Sequence, residues 1–269
     1  MSGASGVCWE AGRVCVRLTG KDRFSWLNGV LTSDVKSLEG KAGPRAQLGC
    51  ALDQKGKIQA DVVVFVDDAE GGPTVHAWLP RRSAEALLAA WDRYIVMEDV
   101  ELVPDEGARL FHVEGATPAG RAAPFDALGE GGFVIESDPG LPRLEESAVE
   151  ARRIAAGRAA FGVDFDEKNY VQECGLEARA VSFTKGCYLG QEVVCMLQMR
   201  GHVNKRLVQL AVPAGITAGA ELAVDGQVVG AVTSVAGEAA LAMVKYAHSE
   251  PGKRLEVGGA SVEIQGLAR

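Results

Sequence analysis

The chain has 269 residues, of which 47% are apolar and 24% charged, and a net charge of −8. That length suffices for two or three small domains or one large one around a buried core. The acidic balance argues against broad nucleic-acid binding, which needs a basic face to neutralise phosphates, and no stretch approaches the ~20 apolar residues that span a bilayer. The N-terminal MSGASGVCWEAG lacks a basic region followed by an apolar run, so no secretory signal is visible and the cytoplasm is the expected compartment.

Val14, Val16 and Leu18 alternate with Arg13, Cys15 and Arg17, which predicts a half-buried strand. Thr19 offers an N-cap oxygen to a helix of about two turns carrying Phe24, Leu27 and Val30 or Leu31, with Gly29 near its end. Residues 47–52 and 58–66 are apolar runs joined by Asp53-Gln54-Lys55-Gly56-Lys57, a hairpin signal. The run Asp61-Val62-Val63-Val64-Phe65-Val66 is too rich in β-branched residues for a helix. Residues 74–79 form a further strand, and Ser83 caps a helix with Leu87, Leu88, Trp91 and Tyr94 on one face. These elements make an α+β unit with an antiparallel sheet.

Residues 115–143, rich in Gly, Pro and Ala, read as connections around one short strand at 133–135. Residues 144–156 look helical and stop at Gly157. From residue 207 onward the pattern turns to short strands at 207–212, 221–224, 227–232, 239–245 and 261–264, with Asp225-Gly226 as a two-residue hairpin turn. A small barrel or curled sheet closes so many short strands.

The six cysteines (Cys8, Cys15, Cys50, Cys174, Cys187, Cys195) show no CxxC pair and read as free thiols. The four histidines (His76, His112, His202, His248) lie far apart without an HExxH-type pair, so no dedicated metal site is expected. Chemistry concentrates instead in Phe183-Thr184-Lys185-Gly186-Cys187-Tyr188-Leu189-Gly190-Gln191-Glu192-Val193-Val194. Lys185 lies two residues from Cys187, where a cation favours thiolate, and the glycines let the backbone approach a ligand closely. The same composition also fits a buried cysteine in a Gly-rich turn. Arg200, His202, Lys205 and Arg206 read either as a solvated turn or as a landing site for the carboxylates of a small anion.

The segment KGCYLGQE resembles the KGCYxGQE signature of the YgfZ family of folate-binding proteins, implicated in iron–sulfur protein maintenance. That family is similar to the T-protein, the aminomethyltransferase of the glycine cleavage system. Gly20, Asp22, Phe24, Leu27, Asn28, Leu31, Thr32, Asp34 and Val35 resemble its opening motif, and Lys55-Gly56-Lys57-Ile58 through Asp61 resemble its KGR-I-x-x-D hairpin. Arg153-Ile154 with Gly157 and Phe161-Gly162, and the run Arg200 to Arg206, resemble two further stretches.

The resemblance implies an α+β fold of three domains in a T-protein-like cloverleaf around a central folate site. Residues 1–45 with 142–203 would form a discontinuous folate-cradling domain, 46–141 an inserted ferredoxin-like domain, and 204–269 a C-terminal β-barrel. It implies tetrahydrofolate or a one-carbon derivative as cofactor, and iron–sulfur enzymes or assembly factors, including tRNA-modifying enzymes, as partners. Membrane and direct nucleic-acid partners are not expected. Cys187, Lys185 and Asp61 are the expected chemical groups, and Asp61, Arg153, Tyr188, Gln191, Glu192 and Arg206 the expected folate contacts. The alternative implied activity is folate-dependent aminomethyl transfer or demethylation with Asp61 as acid/base. The T-protein's pteridine-gripping Glu has its nearest counterpart in Gly129-Glu130-Gly131-Gly132-Phe133-Val134, where Val134 stands at the critical place. Valine cannot accept the two hydrogen bonds a carboxylate takes from a pterin edge, which weakens the aminomethyltransferase reading.

Overall fold

A computed structural model describes residues 6–69, 72–128 and 131–269. In chain order the elements are β1 (Val7–Glu10), β2 (Arg13–Thr19), α1 (Arg23–Val30), β3 (Arg45–Leu52), β4 (Ile58–Ala69), β5 (Gly72–Pro80), α2 (Ala84–Asp92), β6 (Glu101–Asp105), β7 (Phe111–Glu114), β8 (Ala122–Pro124) and β9 (Phe133–Ile135). Then follow α3 (Glu146–Ala155), α4 (Glu177–Ala180), α5 (Gln191–Arg200), β10 (Lys205–Ala211), β11 (Glu221–Val224), β12 (Gln227–Ala236), β13 (Ala239–Lys245), β14 (Arg254–Val257) and β15 (Ala260–Leu267). The chain divides into two compact units, residues 1–145 with 180–191 and residues 146–179 with 192–269.

The first unit is built on an antiparallel sheet in the order β3-β4-β5-β2-β6. Its β-branched strands bury both faces, which is why β4 reads as an unbroken apolar run rather than an alternation. One face carries Val16, Leu18, Val62, Val64, Val66, Val75, Ala77 and Leu79, packed with Phe24 and Leu27 of α1 and Leu87 and Trp91 of α2. The indoles of Trp26 and Trp91 meet edge to face at 5.7 Å. The other face carries Cys15, Val63, Phe65 and Trp78, all at most 1% exposed. A second antiparallel sheet has the order β1-β7-β9-β8.

Several boundaries differ from expectation for identifiable reasons. Helix α1 is capped at Asp22, not Thr19. Gly20, at φ +88°, turns so close to Asp99 that a Cβ would lie 2.0 Å from its carbonyl oxygen, and the Asp22 carboxylate accepts from the Asp99 amide. Residues 20–22 are therefore spent on that junction before the helix begins. Tyr94 falls beyond α2, where its carbonyl accepts from the Trp26 indole, and its side chain is exposed. Ser83 occupies the N-cap of α2 without a side-chain capping bond. The Gly/Pro-rich stretch holds two strands, β8 and β9, and β2 pairs with β5 and β6 across the domain boundary expected at residue 46.

In the second unit six strands close a barrel in the order β10-β13-β12-β11-β14-β15, with β15 returning to β10. Closure leaves no free strand edge. Asp225 and Gly226, at φ 49° and 75°, form the expected turn between β11 and β12, with the two positive φ angles that match a tight hairpin to the strand twist. Gly230 of β12 passes so near β13 that a Cβ would lie 2.4 Å from the Met243 carbonyl oxygen. Gly230→Ala should therefore cost more than about 1 kcal/mol, as other overpacking changes do, read as a lower urea midpoint with an unchanged slope.

Candidate functional site

The KGCYLGQE segment belongs to the first unit up to Gln191. A short helix leaves its last carbonyls without intrahelical donors, and Lys185 supplies them. Its ammonium donates to the carbonyl oxygens of Asn28, Leu31 and Ser33 at 2.5, 2.7 and 2.8 Å, which uses all three N–H groups. Burial pushes this ammonium down from the ordinary lysine value to about 8, opposed by the charge of Asp34. The Tyr188 ring, 7% exposed, lies under it with 4.9 Å between Nζ and the ring centroid.

The segment is fixed at its other end as well. The Leu189 amide donates to the Gly29 carbonyl at 2.9 Å. Gly190, at φ +79°, sits on the β3–β4 hairpin, where a Cβ would lie 2.7 Å from the Asp53 carbonyl oxygen and 3.1 Å from the Gly56 Cα. Only glycine fits there. Between these fixed points Cys187 is exposed, whereas Cys8, Cys15, Cys50 and Cys174 are buried and Cys195 is half-buried. Lys185 was expected to stabilise a Cys187 thiolate; its donors are instead committed to backbone carbonyls, and its role is to hold the segment in place. Gln191 is half-buried and Glu192 exposed at the start of α5.

Asp61 lies on β4, beyond the hairpin that seats Gly190. Arg13 donates to Asp61 Oδ2 at 2.5 Å and to the Asp61 and Trp78 carbonyl oxygens at 2.9 and 3.2 Å. The remaining oxygen, Asp61 Oδ1, is buried and has no hydrogen-bond partner among the described residues. Val134, on β9 between β7 and β8, is fully buried; Gly129 and Glu130 of the same motif lie outside the described residues. Sequence reasoning missed Glu136, two residues further on. Its Oε1 lies 2.7 Å from His76 Nδ1 and accepts from the Trp78 indole at 2.8 Å. The spacing from Val134 by two residues is the signal that could have found it, because such residues share a strand face.

The expected folate contact Arg153, in the second unit, has a different task. Its Nε donates to Glu150, Nη1 to Asp164 Oδ2 and the Arg158 carbonyl, and Nη2 to Glu150 and Ser234. Five donors are thereby used, so none remains for a ligand. Asp164, wholly buried, also accepts from Thr233 and Ser234 at 2.6 Å. This network joins α3 to the barrel strand β12. Arg206 stacks on the Tyr246 ring at 4.6 Å and lines a cavity of about 150 Å³ with Glu177, Gln172 and His202. Burial raises the Glu177 carboxyl above its usual range, opposed by Arg206. Arg200 and His202 line a further cavity of about 200 Å³ with Tyr170 and Asn204. The basic run thus borders cavities rather than forming only a solvated turn.

An α+β chain with a closed six-stranded C-terminal barrel has a T-protein-like fold. Its fold is similar to the glycine cleavage system aminomethyltransferase T from Bartonella henselae, with a TM-score of 0.78 over 98% of this chain and 85% of that one, at 16% identity. Residues 204–266 match the CAF17 C-terminal beta-barrel domain. The chain is 26% identical to the mitochondrial iron-sulfur cluster assembly factor IBA57 of Mus musculus, covering 90% of this chain and 79% of that protein. It is also 26% identical to the IBA57 homolog of Chaetomium globosum, over 93% of this chain and 66% of that protein. The tRNA-modifying protein YgfZ of Yersinia pseudotuberculosis is 28% identical over 73% of this chain and 68% of its own length. Together these likenesses fit the YgfZ/T-protein-like family.

Three outcomes follow from this geometry. Arg153→Met should lower stability by about 3–5 kcal/mol, the cost of leaving a buried partner charge uncompensated, measured by urea unfolding. Lys185→Met should cost about 3 kcal/mol, as expected when carbonyls lose charged donors, and should speed amide exchange at Leu189. Alkylation with peptide mapping should label Cys187 before the other five cysteines in the native protein; slower labelling of Cys187 than of Cys8 or Cys50 would contradict its exposure.

Proposed function

We propose that this protein binds tetrahydrofolate or a one-carbon derivative and supports the synthesis or repair of iron–sulfur enzymes, including ones that modify tRNA, with Cys187 as its exposed reactive group. The iron–sulfur and tRNA parts rest on the likeness to IBA57 and YgfZ proteins. The observation that carries the folate part is Asp61 Oδ1, a buried carboxylate oxygen left without a hydrogen bond. Such an atom costs about 1–3 kcal/mol until a donor reaches it, and the N–H groups of a reduced pterin are donors of the required kind.

In this reading Arg13 fixes the orientation of the Asp61 carboxylate. Asp61 then orients the folate through its free oxygen. Reduced folate would supply the capacity to carry or accept a one-carbon unit. Within the second unit, Arg206 and Arg200 line cavities of their own and are separately suited to small anions. Gln191 and Glu192 shape the end of the segment, and Tyr188 supports Lys185. Cytoplasmic placement belongs to this proposal; among the described residues no helix is long and apolar enough to cross a membrane.

Aminomethyl transfer is disfavoured by one detail. Val134, at the place of the pterin-gripping carboxylate, is sealed inside a sheet, and its side chain offers no hydrogen-bond acceptor. Methylene-tetrahydrofolate formation with a lipoylated aminomethyl carrier protein should therefore be absent. The folate reading is tested by calorimetric titration with reduced folates. Wild type should bind, and Asp61→Asn should bind at least about tenfold more weakly, the loss expected for one charge-assisted hydrogen bond. No heat with any reduced folate, or equal affinity in Asp61→Asn, would overturn it.

A further inference from the structure

The second face of the five-stranded sheet holds a group of side chains that the folate reading does not use. In the pairing of β2 with β5, Cys15 lies opposite Trp78 and Arg17 opposite His76. Cys15 and His76 are therefore diagonal neighbours on one face, a separation that side chains bridge. Glu136, just past β9, reaches the same place from the second sheet. The thiol, imidazole and carboxylate ligand atoms all lie within 4.8 Å of one another.

We propose that Cys15, His76 and Glu136 form a three-ligand site for a divalent metal ion of the zinc class. The ligand set is of the right chemistry: thiolate, imidazole and carboxylate together suit a borderline-soft ion and exclude magnesium and calcium, which prefer oxygen alone. The geometry is close. Zinc–ligand bonds of about 2.0–2.3 Å in a tetrahedron place ligand atoms roughly 3.3–3.8 Å apart. The 2.7 Å approach of His76 to Glu136 must open by several tenths of an ångström, and the wider separations must close by up to about 1 Å, which side-chain rotation supplies. Trp78 keeps its bond to Glu136 and holds that carboxylate from the outer side, as supporting partners of metal ligands do.

Access and charge agree with this assignment. The side chains of His76 and Glu136 are 17% and 22% exposed while Cys15 is 1% exposed. An ion would enter past the imidazole and carboxylate, meet the thiol last, and keep a fourth position for water. On binding, the Cys15 S–H bond breaks, an S–metal bond forms, and the proton passes to solvent. The bland account, a His–Glu–Trp hydrogen-bonded cluster beside an ordinary core cysteine, explains the contacts of Glu136. It leaves the approach of the Cys15 thiol to both His76 and Glu136 without a role.

The test uses the full chain, reduced and stripped with a chelator, titrated with Co(II) and then with competing Zn(II). Wild type should bind one Co(II) with a thiolate-to-cobalt charge-transfer band that Zn(II) abolishes. The band should persist in the Cys187→Ser/Cys195→Ser double variant, which removes the two accessible thiols. Cys15→Ser should lose it. His76→Gln, which can still donate to Glu136 and so preserve the fold by circular dichroism, should bind at least tenfold more weakly. Absence of the band in wild type, or a band lost with Cys187 and Cys195 but unchanged in Cys15→Ser or His76→Gln, would overturn the assignment.

Discussion

A single buried ammonium organises the KGCYLGQE segment of this protein. Lys185 satisfies three carbonyl oxygens around the end of a two-turn helix, and no neutral side chain offers three donors from one point. Its charge keeps the end of α1, the stretch through Ser33 and the KGCYLGQE segment together. Gly190 then lets the segment touch the β3–β4 hairpin. The residue between these two attachments, Cys187, is left facing solvent. The chemistry of the segment is thus divided: the cation is structural, and the thiol is presented.

The same division runs through the other charged groups. Arg153 looks like a ligand-binding residue by its place in the chain, but its donors are saturated by Glu150, Asp164, Ser234 and a carbonyl. Asp61 shows the reverse, one oxygen held by Arg13 and one left over. Counting donors and acceptors separates groups that hold the fold from groups that can meet a ligand. Asp61 lies on the sheet face opposite α1 and α2, whose own face is packed mainly with aliphatic and aromatic side chains.

Much of this was legible in the sequence. The valine run of β4, the Asp-Gly turn, the stop at Gly157 and the strand-rich C-terminal portion follow from local propensity and turn chemistry, which long-range context did not override. The start of α1 was not legible, because Asp22 and Gly20 are engaged with Asp99, far along the chain. Strand β2 joining β5 and β6 was equally hidden, since pairing partners are not written in periodicity. Strand β14 was missed between turn residues, although Leu255 and Val257 alternate with exposed neighbours. The cluster of Cys15, His76 and Glu136 had no sequence signal at all: histidines without HExxH-type spacing argued against a metal site, whereas sheet register brings one of them beside a cysteine some sixty positions away.

In the proposed function, Cys187 is the group through which the protein acts in the cell. Complementation of a strain lacking its own YgfZ-type protein measures this directly, with the activity of an iron–sulfur enzyme as readout. Wild type should restore that activity and Cys187→Ala, expressed and folded to the same level, should not. Full restoration by Cys187→Ala would contradict the claim.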